Sequence, residues 1–420
     1  MQASIQTEKK QKQGYLIIIL GLLTAIGPLS IDMYLPAFPE IAKGLNTSVS
    51  KVMLSLSSFF IGISVGQLIY GPLLERYGRK KPLYFGLVIY AFSAWGCASA
   101  STVDSLILFR LFQALGGCVG MVASRAMVRD LFEVKDNAKV FSTLMLVVAV
   151  SPIIAPTLGG YITAYLGWRY VFGMLIIVIA IIIAGIYFIL PESKKPDPKF
   201  SLKPSSIVKA YVTIIKHPQF SMYTFTGAVA SAGLYVYISG SPYVFMILFK
   251  VTERHYGWIF AIIAAGLIGA SQLNGFFLKK HSSESIIKTA LYTQSIIGII
   301  LVSLTMLGLT ELYSTIALIF MFLCCQGFIF PNASALSMAP FGHNAGSASA
   351  LMGFIQMSVG AIMSAMVSVL QNNSALAMTG IMATCAISAS LLFTLGRKRV
   401  LNKASLELVE EEEIEMINTI

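Results

Sequence analysis

Apolar residues run through this chain in long blocks separated by short polar connections. Twelve blocks approach or exceed the roughly 20 predominantly apolar residues a helix needs to cross a bilayer. They cover 15–38, 50–72, 82–101, 104–127, 138–163, 168–190, 219–246, 255–278, 286–309, 312–332, 344–369 and 374–395. After the sixth block the pattern breaks. Residues 191–217 open with Pro191-Glu-Ser-Lys-Lys-Pro-Asp-Pro198, which cannot continue a helix, and carry six lysines. The pattern predicts an all-α integral membrane fold of twelve transmembrane helices in two pseudo-symmetric six-helix halves. Its parts are a terminus 1–14, halves 15–190 and 218–395, a linker 191–217 and a tail 396–420. Within the linker, Ile207, Val208, Tyr211, Ile214 and Ile215 recur at helical spacing opposite Lys209 and Lys216. That predicts a short amphipathic helix lying on a membrane surface; chance periodicity in a loose connector is the alternative.

The halves repeat weakly. Asn274-Gly-Phe-Phe-Leu-Lys-Lys-His281 after the eighth block lines up with Tyr70-Gly-Pro-Leu-Leu-Glu-Arg-Tyr77 after the second. Gly275 matches Gly71 and Leu278 matches Leu74, while Lys279 stands where Glu75 is. Parallel six-helix repeats are an architecture of secondary transporters.

Composition agrees with the pattern. Hydrophobic residues make up 56% of the 420 and charged residues only 12%, against about 25% charged in soluble domains. The net charge of +11 is no nucleic-acid footprint, because its distribution follows topology. Five of the basic residues (Lys43, Lys51, Arg169, Lys250, Arg254) fall in one set of connections and two (Arg110, Arg125) within blocks. The remainder fall in the alternate connections and the termini, which places those on the cytoplasmic side. Lys9, Lys10 and Lys12 precede an apolar run too long for a signal peptide and without a small-residue cleavage site, so that run reads as the first span. The five cysteines (Cys97, Cys118, Cys324, Cys325, Cys385) lie in apolar runs without metal spacing and read as packing residues. The tail opens with Arg397-Lys-Arg, a juxtamembrane anchor, and ends in a solvated acidic stretch, Glu410 to Glu413 and Glu415.

The connection Gly71-Pro-Leu-Leu-Glu-Arg-Tyr-Gly-Arg-Lys-Lys81 packs one acid and four bases between two blocks. It is expected to make its helices antiparallel neighbours, with Gly71 admitting a close helix and Gly78 a tight turn. Glu75 is expected to dock at the start of the eleventh helix, near Asn344-Ala-Gly346, where free N–H groups make a positive end. Arg79 is expected to pair with Asp130. Together they would latch the halves on the inner side.

Ionisable groups inside spans are costly and mark function. The clear cases are Asp32, Arg110 and Arg125. Asp32 lies about six residues from the outer end of its helix, roughly 9 Å deep at the helical rise, and Arg110 enters from the same side by a similar distance. They are expected to face each other across a central cavity, as a proton-exchanging pair or as a static ion pair. Arg125, near the inner face, is expected to snorkel. Pro36 and Pro39 loosen the end of the first helix, and Pro152, Pro156, Gly159 and Gly160 predict a bent, closely packed fifth helix. Tyr34, Tyr235, Tyr237, Phe328 and Phe330 are candidate lining residues, with lipid contact or packing as the alternative. There is no P-loop, catalytic constellation or metal cluster, so no cofactor is expected and the energy source is an ion gradient.

These residues resemble the major facilitator superfamily. Gly71 to Lys81 is similar to its Gly-x-Leu-x-Asp-Arg-x-Gly-Arg-Lys loop, with Glu75 for the usual Asp and Arg76, Gly78 and Arg79 in place. Arg110-Leu-Phe-Gln113-Ala-Leu-Gly116 resembles the fourth-helix motif, whose Arg and Gln are tied to proton coupling. Ser151 to Gly160 resembles the fifth-helix antiporter motif, with Ser151 and Ala155 replacing two glycines. Asp32-Met-Tyr-Leu-Pro-Ala-Phe-Pro39, Arg125-Ala-Met-Val-Arg-Asp130-Leu-Phe, Gly167-Trp-Arg169 and Ala345-Gly-Ser-Ala-Ser-Ala350 resemble the bicyclomycin/chloramphenicol-resistance (Bcr/CflA) branch. The resemblance implies a proton-coupled multidrug antiporter, not an enzyme, in a bacterial inner membrane with both termini cytoplasmic. It implies drugs or metabolites, protons and the bilayer as partners, no nucleic acid, and a monomer. A dedicated exporter of one metabolite or siderophore on the same fold is the alternative.

Overall fold

The computed structural model describes the backbone of residues 2–132, 134–198, 202–341 and 345–418. It describes side chains between 14 and 397 apart from 133–139, 141, 142, 145, 199–201 and 342–344. The side chains of Lys9, Lys10, Lys12, Asn344 and the acidic end of the tail lie outside the described residues. Among the described residues all regular structure is helical. The first half comprises α1 (Gln2–Asp32), a 3-10 turn (Leu35–Ala37), α2 (Phe38–Gly44), α3 (Val49–Tyr77), α4 (Lys80–Ala98), α5 (Val103–Leu131), α6 (Val134–Leu166) and α7 (Arg169–Phe188). After α8 (Pro204–Ile215) come α9 (Pro218–Pro242), a π turn (Tyr243–Leu248), α10 (Glu253–Phe277), α11 (Ser283–Met306), α12 (Leu312–Met338), α13 (Ala345–Leu370) and α14 (Leu376–Asn418).

Local chemistry sets the helix starts. Ser48, Thr252 and Ser282 accept backbone N–H bonds as N-caps of α3, α10 and α11, and Thr102 with Ser105 closes a capping box on α5. Pro204 and Pro218 stand at first helical positions, where no N–H is needed.

Eleven helices among the described residues are long and apolar enough to span a membrane. The twelfth predicted span, α4, falls short because it has 19 residues, opens on Lys80 and Lys81, and carries Tyr84, Tyr90 and Trp95. It packs as the others do, on α5 and α7. The expectation that α3 and α4 are close neighbours is corrected: α3 packs chiefly on α5 and α13. A Cβ on Gly62 would fall 2.4 Å from the Leu111 carbonyl oxygen and one on Gly66 2.7 Å from Cys118 Cβ. With α3 and α5 meeting backbone to backbone, α4 is held on the far side of α5.

The halves repeat this packing, since α10 packs on α12, and α11 packs on α12 and α14. Two seams join them. Along one, α3 meets α13 through Ser57 Oγ and Ser364 Oγ at 2.8 Å, and Ser64 Oγ and Ser358 Oγ at 2.7 Å. Along the other, α6 meets α10 at backbone contact: a Cβ on Gly160 would fall 2.7 Å from the Glu253 carbonyl oxygen, and one on Gly257 2.8 Å from Thr157 Cα, while Arg254 lies over the rings of Tyr161 and Tyr165. On the face away from the Gly71–Lys81 connection, the 3-10 turn after α1 touches α9 and α10, and α2 touches the π turn. On the face bearing that connection, hereafter the basic face, α8 packs Ile214 and Tyr211 against Phe220, Leu351 and Ile355 of the second half. A cavity of about 390 Å³ remains there between α3, α5, α8 and α13.

Candidate functional site

The first helix breaks where its chemistry lies. Pro36 and Pro39 remove two backbone donors, so α1 stops at Asp32 and the chain continues through the 3-10 turn into α2. Asp32 is buried, and among the described residues it makes no hydrogen bond or ion pair. Its carboxylate is within electrostatic reach of the hydroxyls of Tyr237 on α9 and Tyr256 on α10, both in the second half. The Tyr256 hydroxyl is bonded to Ser241 Oγ at 2.8 Å, whereas the buried Tyr237 hydroxyl has no partner among the described residues.

Arg110 does not face Asp32, which corrects the expected pairing. Its guanidinium is fully buried inside the first half, 4.4 Å from the ring centroid of Tyr34 and 4.1 Å from that of Phe59. It donates to Gln113 Oε1 at 2.8 Å and to the Ser30 carbonyl oxygen at 3.1 Å. Ser30 lies in the last turn of α1, where carbonyls lack intrahelical donors and the helix end is negative. A buried cation is thus held by aromatic faces and a helix terminus, with no acid. Equal depth along two helices was readable; the rotation of each about its axis was not. Arg110 therefore touches the helix that carries Asp32, two residues from it, instead of the carboxylate itself. Gln113 Nε2 and Arg110 Nε, both buried, have no hydrogen-bond partner among the described residues.

Tyr34 belongs to this enclosure, not to a space between the halves: its hydroxyl meets Ser55 Oγ at 2.7 Å and its ring packs on Phe38 and Phe172. Tyr235 and Tyr237 stand at the seam. Tyr235 packs edge-on against Phe60 of the first half, and Tyr237 stacks on Phe260. Phe328 packs on Phe277, and Phe330 is exposed. In α6, which contains Pro152 and Pro156, a Cβ on Gly159 would fall 2.1 Å from the Met33 carbonyl oxygen. Gly159 and Gly160 therefore let α6 touch the broken end of α1 on one side and α10 on the other.

On the basic face, Arg79 donates from Nε to Asp130 Oδ2 at 2.8 Å and from Nη1 to Glu75 Oε1 at 3.0 Å. Burial works against the Arg79 charge, but these two acids hold its pKa above the ordinary arginine range. Glu75 also binds Lys194 Nζ, and Asp130 accepts from Ser193 Oγ at 2.9 Å. The expected docking of Glu75 at the start of α13 is corrected: both oxygens are taken by cations of the first half and the linker. Gly71 is corrected too, since a Cβ there would meet nothing within 4 Å. It lines the cavity. Gly78 makes the turn at φ +81°, and Arg76 lies half-buried in the last turn of α3.

Sequence reasoning missed the linker's part. Arg79, the residue at the start of α4, has only donors on its side chain and cannot accept from the free N–H groups there. The Glu192 carboxylate instead accepts from Arg79 N at 2.8 Å and Lys80 N at 3.1 Å, and Lys80 Nζ donates to the Leu190 carbonyl at 2.8 Å. The available signal was an acid directly after the sixth span, in a segment otherwise rich in lysine.

The Major Facilitator Superfamily profile matches residues 20–365. An uncharacterized MFS-type transporter of Bacillus subtilis (strain 168), YdgK, is 34% identical over 380 residues, covering 90% of this chain and 94% of that one. The bicyclomycin resistance protein homolog of Haemophilus influenzae is 30% identical over 385 residues, covering 91% and 96%. The chloramphenicol resistance protein of Pseudomonas aeruginosa is 26% identical over 377 residues, covering 86% and 85%. Among solved structures, a D-xylose–proton symporter superposes with TM-score 0.70 at 14% identity, covering 90% of this chain and 96% of that one.

Proposed function

The chain belongs to the major facilitator superfamily, and from that premise we propose that it is a proton-driven exporter of small, largely hydrophobic compounds, drugs among them. Relatives named for bicyclomycin and chloramphenicol resistance support the cargo class. One observation carries the coupling: a buried carboxylate, Asp32, without an ion-pair partner among the described residues, at the junction of the two halves.

A carboxylate in that position is costly while charged and inexpensive once protonated. In this reading, protonation releases Asp32 from its charged state and lets the junction rearrange, and a departing proton is exchanged for cargo. Arg110 and Gln113 hold the end of α1 through Ser30, and so set how far Asp32 reaches into the junction. Tyr237 and Tyr256 supply hydroxyls there from the other half. The basic face is placed in the cytoplasm by the positive-inside asymmetry, in a bacterial inner membrane with both termini inside. Glu75, Arg79 and Asp130 then brace the first half on its cytoplasmic side. In this reading the transporting unit is the monomer.

The test is uptake of a dye and of chloramphenicol into inverted vesicles, with and without a pH gradient. Uptake of both that collapses with the gradient is expected, together with loss of coupled uptake in Asp32→Asn at unchanged expression. Undiminished, gradient-dependent uptake by Asp32→Asn would remove Asp32 from the mechanism. Failure to take up either compound, with proton release on adding a cellular metabolite, would replace the cargo class with a dedicated one.

A further inference from the structure

The cavity on the basic face is lined by charges that the ionic cluster beside it does not use. Arg125 and Arg129, one helical turn apart on α5, expose their side chains to it. The Arg125 guanidinium has no hydrogen-bond or ion-pair partner among the described residues, and Arg129 donates only to the Arg125 carbonyl at 3.4 Å. Glu75, the acid on the cavity wall, is held by Arg79 and Lys194, and Arg79 in turn by Glu75 and Asp130. Two cations therefore face each other's field without compensation. Gln67 lines the same space: it is 6% exposed, and its amide makes no hydrogen bond among the described residues. Opposite stand Ser347, in the first turn of α13 where backbone N–H groups lack intrahelical acceptors, and Ser349 just beyond it.

A second cavity of about 430 Å³ adjoins the first, sharing Pro72, Ile207 and Tyr211. Its other walls are apolar, Leu68, Ile69 and Leu73 from α3 and Val208 from α8, of which Ile69 and Val208 are exposed on the outer surface. A cationic chamber thus shares a wall with an apolar groove between a spanning helix and the amphipathic helix.

We propose that the two cavities form one site for an anionic amphiphile drawn from the leaflet on the basic face. The anionic head lies between Arg125 and Arg129 with Gln67 and the α13 serines as further donors, and the hydrocarbon chain lies in the α3–α8 groove. A phosphate there satisfies the paired guanidinium groups that the protein leaves open, and the groove selects against a bare anion. The site is separate from Asp32 and Arg110, and it stands or falls independently of the cargo.

The experiment uses the full chain, purified in mild detergent, with bound species read by native mass spectrometry. The probes are phosphatidylglycerol, phosphatidylcholine of the same chain length, dodecyl phosphate and inorganic phosphate. Phosphatidylglycerol and dodecyl phosphate are expected to be retained, and the other two not. Dodecyl phosphate binding alone would identify the source as a soluble anionic amphiphile and overturn the lipid origin. Equal retention of phosphatidylcholine, or binding of inorganic phosphate as tight as that of phosphatidylglycerol, would overturn the site as described. Arg125→Gln combined with Arg129→Gln is expected to lower phosphatidylglycerol retention by about tenfold or more, while Arg125→Lys with Arg129→Lys keeps most of it. Unchanged retention in the Gln pair overturns the assignment, and the wild-type lipid comparison decides the matter even if that pair fails to fold.

Discussion

Glu192→Ala removes the carboxylate that caps α4 from the far end of the first half. Two backbone donors, at 2.8 and 3.1 Å, lose their acceptor, and the start of α4 loses the negative charge beside it. Replacing a capping side chain by Ala costs about 1 kcal/mol, and losing a carboxylate near a helix N-terminus about 0.5 kcal/mol at an exposed site. The sum, about 1.5 kcal/mol, is close to a tenfold rise in the fraction of molecules whose linker is detached. Trypsin reads that fraction directly. Lys194 is bound to Glu75, and the following Lys195 precedes Pro196, so the informative cut falls between Lys194 and Lys195. When detachment is fast relative to cleavage, the rate of cutting follows the detached population. Cleavage after Lys194, followed by mass spectrometry of the fragments, is expected to speed up about tenfold in Glu192→Ala, with Glu192→Gln in between because it keeps one acceptor. A rate within twofold of wild type, or a Gln variant cut faster than the Ala variant, would refute the capping role.

Two further outcomes test the packing around Asp32. Arg110→Lys keeps the charge but loses the planar face on Tyr34 and Phe59 and the simultaneous reach to Gln113 and Ser30. Gradient-driven uptake is expected to fall about tenfold or more with normal expression, and a wild-type rate would show that only the charge matters. Gly159→Ala places a methyl group against the backbone of Met33, and is expected to lower the stability of the purified protein by about 1–3 kcal/mol. Gly71→Ala, where a Cβ meets nothing, is expected to leave the melting temperature unchanged. Equal behaviour of the two variants would contradict the close contact of α6 with α1.

What could be read in the sequence was local. Long apolar runs, the break at Pro36 and Pro39, and the amphipathic repeat from Ile207 to Ile215 each depend on neighbours a few residues away, and a helix or a helix break stands at each. Contacts that depend on helix rotation were out of reach. Asp32 and Arg110 share a depth, yet one turns to the second half and the other into an aromatic enclosure of the first. Close approach was assigned to Gly71 because of its loop, whereas Gly62 and Gly66 provide it deeper in the same helix. Glu192 reaches a helix that begins 112 positions earlier, and no periodicity reports such a pairing.

The two seams occupy matching places in the repeated halves, yet they are built from different materials. Between α3 and α13 the bonds are hydroxyl to hydroxyl, each worth about 0.6 kcal/mol within a membrane and replaceable by water. Between α6 and α10 the contact at Gly160 and Gly257 is main chain against main chain, and next to it Arg254 lies over the rings of Tyr161 and Tyr165. A body made like this has a zip along one edge and a hinge pin along the other. In the proposed export cycle the serine edge is the one expected to part first, with the glycine edge as its pivot.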